Sequence, residues 1–65
     1  MRNRFITKTG TGLTAREAVS GALKKIRKYK EIAGYSDFDL IEDSLLLVRN
    51  GGLLYAYLGA KVYRE

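Results

Sequence analysis

The fold is decided by the stretch from Phe38 to Tyr63, FDLIEDSLLLVRNGGLLYAYLGAKVY. An Asn-Gly pair between two apolar runs is the strongest short-range signal of a β-hairpin, because a type I′ turn needs positive φ at both central residues. The pattern therefore predicts two antiparallel strands that meet at Asn50-Gly51 or at Gly51-Gly52.

Both faces of the predicted hairpin carry apolar side chains. With either two-residue turn, odd positions of the first strand pair with even positions of the second. One face then holds Ile41, Leu45, Leu47, Leu54, Ala56, Leu58, Ala60 and Val62, and the other holds Leu40, Leu46, Val48, Leu53, Tyr55, Tyr57 and Tyr63. A three-residue loop would exchange the faces of the second strand and leave both apolar. The Gly51-Gly52 turn places Glu42 opposite Lys61, which favours that register.

The composition indicates one small domain, residues 1–65, that needs additional stabilisation. A chain of 65 residues buries only about 60% of its unfolded surface. Disulfides, a structural metal or oligomerisation usually compensate, and the absence of Cys and His removes disulfides and the commonest metal ligands. Because one helix covers only one sheet face, we expect the other face to be buried against another copy of the chain or against a partner. A homo-oligomer is the expected form, since it also adds to the small core. The predicted interface consists of Leu46, Val48, Leu53, Tyr55, Tyr57 and Tyr63.

The segment before the hairpin predicts a strand and a helix. Asn3–Thr9 is rich in β-branched and aromatic residues, and Gly10 ends it. Thr14 and Glu17 form a capping box that marks a helix start, and Gly34 is placed as the C-terminal cap. The predicted fold is α+β with the order β-α-β-β, in which a three-stranded antiparallel sheet of spatial order 1-3-2 packs on one helix.

The predicted strand-to-helix connection contains Gly10–Ala15, GTGLTA, which matches the G-x-G-x-x-A spelling of a dinucleotide loop. Backbone amides and the helix dipole at such a place can hold an anion. The parallel βαβ units of a dinucleotide domain are missing, so a plain turn is the main alternative. The candidate ligand- or anion-binding residues of this segment are Gly10, Thr11, Gly12 and Thr14.

The chain is basic, with a net charge of +5 and a pI near 9.8. Part of this charge lies in the second half of the helix, at Lys24, Lys25, Arg27, Lys28 and Lys30. The helix dipole and solvation are sufficient to explain these residues, but they could equally follow the phosphates of a nucleic acid. They are the candidate polyanion-binding residues.

No residue pattern indicates a reaction. Without His or Cys, nothing visibly activates a base or a nucleophile, so we expect no catalytic residue, no metal site and no enzyme activity. No apolar run is long enough for a signal peptide or a membrane span, and a cytoplasmic location without membrane contact is expected.

Three stretches resemble those of a known family: Gly10–Val19 (GTGLTAREAV), Arg49–Gly52 (RNGG) and Tyr57–Tyr63 (YLGAKVY). They are similar to the Gly-Thr-Ser turn with its Glu-x-Ala-Val helix start, the glycine turn and the final strand of the dodecins. Dodecins are small β-α-β-β proteins that assemble into hollow dodecameric shells and typically bind flavins. Their flavin sites rely on a Trp after the helix. This chain has no Trp, and Tyr35 lies nearest to that position, so the resemblance implies Tyr35 as a further candidate ligand-binding residue. The resemblance implies self-assembly and leaves the cofactor unknown, with flavin as the candidate.

Two functions are therefore expected. The first is a non-enzymatic homo-oligomeric binding module, with a flat anionic, flavin-like small molecule as its candidate ligand. Tyrosines suit this function because they pack at interfaces and can stack on flat ligands. The alternative is a small basic regulatory protein that binds nucleic acid or a nucleic-acid-associated protein.

Overall fold

A computed structural model describes residues 2–64 and has four elements in chain order. They are β1 (Arg2–Gly12), α1 (Ala15–Ala33), β2 (Asp37–Asn50) and β3 (Leu53–Arg64). Both strand pairs are antiparallel, and β3 lies between β1 and β2. The predicted α+β fold and the sheet order 1-3-2 are confirmed.

The hairpin turn lies at Gly51-Gly52. Asn50 pairs with Leu53, and the two glycines between them have φ values of 60° and 84°. Positive φ at both central positions is the requirement of a type I′ turn, which glycine meets without a steric penalty. Of the two predicted two-residue turns, the structure has the second.

The helix begins and ends at the predicted caps. The Thr14 hydroxyl accepts a hydrogen bond of 3.2 Å from the Glu17 amide, and the cap thereby satisfies one of the free N–H groups of the first turn. At the other end Gly34 has a φ of 79°. Its amide donates to the Glu31 carbonyl, and the next amide donates to the Lys30 carbonyl at 2.9 Å, which is the Schellman pattern.

A bulge of four residues interrupts the pairing of β2 with β3 and changes which side chains of β2 share a face. Ile41 pairs with Gly59 and Leu46 pairs with Tyr57, so residues 42–45 of β2 stand opposite the single residue Leu58. Directly opposite residues in an antiparallel pair point to the same face. Beyond the bulge the parity of the pairing is therefore reversed relative to the prediction.

Three predicted positions are corrected by this bulge. Leu40 pairs with Ala60 and lies on the helix side of the sheet, whereas the prediction placed it with the tyrosines. Ile41 moves to the opposite side for the same reason. The residue opposite Lys61 is Asp39 and not Glu42. Each error follows from assuming an unbroken two-residue alternation along β2.

The core is thin and lies where α1 crosses β1 and β3. The buried apolar residues are Ala18, Ala22, Ile26, Ala56, Leu58, Ala60 and Val62. Four of these seven are alanines, and only Ile26 and Val62 are large side chains that are fully buried. Small residues allow close approach of helix and sheet, but they contribute little apolar area to the core.

The molecule is extended for its size. The Cα radius of gyration is 12.2 Å, compared with about 10.7 Å expected for a compact domain of this length. The accessible surface is 4585 Å², compared with about 4,200 Å² for a typical monomer of this mass. Within residues 2–64, no helix is sufficiently long and apolar to cross a membrane.

Candidate functional site

The sheet face opposite α1, here called the outer face, carries exposed apolar side chains. The odd-numbered residues of β3 point to it, and Leu46 and Val48 reach the same face because they pair with Tyr57 and Tyr55. Leu46 is 57% exposed, Val48 40% and Tyr57 36%. These side chains form one apolar surface that no other element of the described chain covers.

All six residues of the predicted oligomer interface lie on the outer face. They are Leu46, Val48, Leu53, Tyr55, Tyr57 and Tyr63. On β1, Phe5 joins them because it pairs with Lys61, and its side chain is largely exposed. The sequence prediction missed Phe5, although the alternation of β1 could have indicated it, since Ile6 and Phe5 must face opposite ways.

The helix side of β2 is also incompletely covered. Leu40 and Leu47 point to that side, where they pair with Ala60 and Ala56, and each is about two-fifths exposed. The reason is that α1 lies over β1 and β3 and leaves β2 at the margin. The apolar surface of the sheet therefore continues around the edge formed by β2.

Ser44 holds the bulge in place. The Gly59 amide donates a hydrogen bond of 2.8 Å to the Ser44 hydroxyl, and that hydroxyl donates to the Ile41 carbonyl. The side chain thus replaces the strand pairing that is lost where β2 departs from β3. A Cβ on Gly59 would lie 2.8 Å from the Ser44 oxygen, so a larger residue here would displace the hydroxyl that accepts this hydrogen bond.

The predicted anion loop is not a loop. β1 continues through Gly12, and residues 10–12 pair with β3, so the predicted strand end at Gly10 is wrong. A Cβ on Gly10 would lie 2.0 Å from the Ala18 carbonyl oxygen, and one on Gly12 would lie 2.4 Å from the Glu17 Cβ. The glycines let β1 contact the helix directly, which gives them a structural role.

Tyr35 lies far from the other candidate ligand residues. Thr14 precedes α1, whereas Tyr35 follows its C-terminal cap, about 28 Å away along the helix. Gly10 and Gly12 contact the first two turns of α1, also remote from its C-terminal end. The Tyr35 ring also has neighbours: it stacks with Tyr29 at a centroid distance of 6.2 Å, and the Arg64 guanidinium lies 5.3 Å from its centroid. The described chain therefore does not by itself bring the predicted ligand residues together.

The basic residues of α1 are divided between different surfaces. Lys25 and Lys28 line an open groove between α1 and β1 together with Lys8, Tyr29 and Ile32. Lys24 lines a neighbouring groove, together with Thr11, Arg16, Glu17, Ser20 and Gly21. Both grooves lie along the boundary between α1 and β1, here called the seam. Arg27 and Lys30 line neither of these two grooves.

The sequence prediction did not include Lys8 among the candidate polyanion-binding residues. The Nζ of Lys8 lies 4.7 Å from the centroid of the Tyr29 ring, a cation–π contact that holds the ammonium between β1 and α1. Lys8 pairs with Leu58 and therefore points to the helix side, like Ile6. The even spacing of Ile6 and Lys8 was the signal that could have placed it there.

No protein-family model matches the chain, no curated protein matches it, and no solved structure matches it.

Proposed function

We propose that the protein is a non-enzymatic homo-oligomeric binding module whose subunits associate through the outer face of the sheet. The observation that carries this proposal is the exposure of Leu46, Val48, Leu53 and Tyr57 on one continuous face. Contiguous apolar surface of this kind is uncommon on soluble monomers and marks interaction sites.

A second copy of the chain is the occupant that the structure favours. The core of one protomer is thin, and oligomerisation is the remaining route to stability for a chain without Cys or His. A face of three strands, each about 40 Å long, has a projected area of about 560 Å². The accessible area of its corrugated side chains is larger, of the order of the roughly 800 Å² per partner in standard interfaces.

A flat anionic ligand belongs to the same proposal in a restricted form. Within one chain, Thr14 is separated from Tyr35 by the length of α1, and Gly10 and Gly12 contact the first two turns of that helix. A flavin-like molecule would therefore need groups from two copies, and the tyrosines of the outer face are the available stacking surfaces. Retention of such a ligand on purification would support this part of the proposal.

Binding of nucleic acid is the second candidate function. It is favoured by one specific observation, the convergence of Lys8, Lys25 and Lys28 on a single groove. Three lysines that line one groove attract phosphate, and the net charge of +5 strengthens this attraction at low salt. This candidate uses a different surface from the proposed subunit interface.

The test is the native mass of the protein across a dilution series, combined with its absorption spectrum. We expect a multimer from the wild type and smaller species from Leu46→Glu, because association would bury an unpaired carboxylate. Leu13→Glu is the matched control, since Leu13 is similarly exposed, at 68%, but lies before α1 and outside the outer face. A wild-type monomer at all concentrations would overturn the proposal, and so would equal effects of the two substitutions.

A further inference from the structure

We propose that the seam between α1 and β1 binds a single nucleic-acid strand, with Lys8, Lys24, Lys25 and Lys28 as its phosphate contacts. This inference deepens the second candidate function and rests on it. It does not depend on self-association, because the seam and the outer face lie on opposite sides of the sheet.

The groups of the seam come from two elements that the fold holds together. Lys25 and Lys28 are three residues apart on α1, so their side chains are neighbours on the helix surface. Lys8 approaches them from β1, and its contact with the Tyr29 ring at 4.7 Å restricts where the ammonium lies. A partly ordered ammonium loses less conformational entropy on binding than a free surface lysine.

The basic residues that α1 contributes to the two grooves are spread along the helix. The neighbouring groove continues along the same seam and adds Lys24 and Arg16, with Glu17 as the one acidic residue among the lining residues of the two grooves. From Arg16 to Lys28 the seam extends about 18 Å along the helix axis. A row of cations in a concave seam suits a chain of phosphates, because proteins that bind single strands use such grooves to follow the backbone.

An unpaired strand fits the floor of the seam better than a duplex does. Ile32 is 76% exposed and lines the same groove as Lys25 and Lys28. This apolar side chain can contact the face of a base only when that base is not stacked inside a duplex. A flat membrane surface would reach only the rim of a concave seam, so a strand is also favoured over lipid.

The first measurement is fluorescence anisotropy of a labelled oligothymidine of about 15 nucleotides. Contacts from Lys8, Lys24, Lys25 and Lys28 predict a slope of log K against log salt of about −2.8, because each contact to a single strand contributes about −0.7. The affinity should accordingly fall about 50-fold between 50 and 200 mM salt.

Two matched double variants distinguish binding in the seam from attraction to the overall positive charge of the chain. Lys25→Gln with Lys28→Gln removes two charges from the seam, and we expect about 60-fold weaker binding at 50 mM salt and a slope near −1.4. Arg27→Gln with Lys30→Gln removes two charges from the same helix outside both grooves. That pair should weaken binding by less than about threefold, because distant charges are screened.

Lys8 gives the most specific test because it lies on β1 and outside the basic helix. Lys8→Gln should weaken binding about eightfold at 50 mM salt, the effect of one phosphate contact. Lys8→Arg keeps both the charge and the cation–π contact and should retain most of the affinity. Circular dichroism of each variant verifies that the fold is kept, and native mass verifies that self-association is unchanged.

The following outcomes would contradict the proposal. Absence of wild-type binding at 50 mM salt would overturn it, as would equal weakening by the two double variants or unchanged binding by Lys8→Gln. Equal affinity for a duplex of the same length would overturn the choice of a single strand. Leu46→Glu separates this inference from self-association, since it should lower the native mass and leave the salt slope near −2.8.

Discussion

The contact between Gly10 and α1 allows a prediction with a magnitude. A Cβ at position 10 would lie 2.0 Å from the carbonyl oxygen of Ala18 and 2.2 Å from the amide nitrogen of Ala22. Both are backbone atoms of a helix, so no side-chain rotation can relieve the clash. Because real Cβ atoms essentially never come within 3.0 Å of other heavy atoms, Gly10→Ala must displace α1 from the sheet by about 1 Å or more.

That displacement would loosen the small core. Ala22 and Ile26 of α1 pack with Leu58 and Ala60 of β3, and these four residues form one buried cluster. Overpacking usually costs about 1–3 kcal/mol, and here we expect about 3 kcal/mol because the clash is with backbone. The free energy of unfolding of a domain of this length is about 3–10 kcal/mol, so the loss is a large part of it. The Tm should fall by about 12–24 °C.

The assay is thermal unfolding by circular dichroism at one fixed protein concentration, since association raises the apparent stability. Gly21→Ala is the matched control because Gly21 faces the same contact from the helix. Its added Cβ would lie 3.4 Å from the Gly10 Cα, an ordinary contact, and alanine should raise the helix propensity by about 1 kcal/mol. A Gly10→Ala protein that melts within about 4 °C of the wild type would refute the reasoning.

Three further substitutions test local features, each by the free energy of unfolding in urea. Ser44→Ala should cost about 1–3 kcal/mol, because the buried Gly59 amide loses its partner; the exposed Ser36→Ala should change the value by less than about 0.5 kcal/mol. Thr14→Ala should cost about 1 kcal/mol through loss of the helix cap, and less than about 0.3 kcal/mol would contradict the capping role. Gly52→Ala should cost about 1–2 kcal/mol because φ is 84° there, and an unchanged value would argue against the positive-φ turn.

The features that sequence predicted well depend on short-range chemistry. Thr14, Gly34 and the Gly51-Gly52 pair act within a few residues of themselves, so their neighbours in sequence are sufficient to interpret them. The sheet order followed from one hairpin and the need to place a third strand beside it. These predictions needed no knowledge of which side chains meet across the core.

The features that sequence missed depend on distant partners. Gly10 and Gly12 resemble turn residues, but they are strand residues that α1 approaches closely, and only the helix position distinguishes the two cases. The bulge gave no local signal of its own, since residues 42–45 contain neither Gly nor Pro. The bulge depends on a hydrogen bond between Ser44 and Gly59, which are fifteen residues apart in the chain.

The two proposed surfaces would reinforce each other if both operate. Subunits that associate through their outer faces place α1 of each copy on the outside, so every seam stays open in the assembly. A strand bound in one seam would then meet a second seam at a high effective concentration, which raises the overall affinity without new contacts. Dissociation of the subunits by Leu46→Glu would remove this gain in affinity for long strands. The affinity for oligonucleotides that are short enough to fill only one seam would not change. The length at which wild type and variant begin to differ would therefore measure the distance between neighbouring seams.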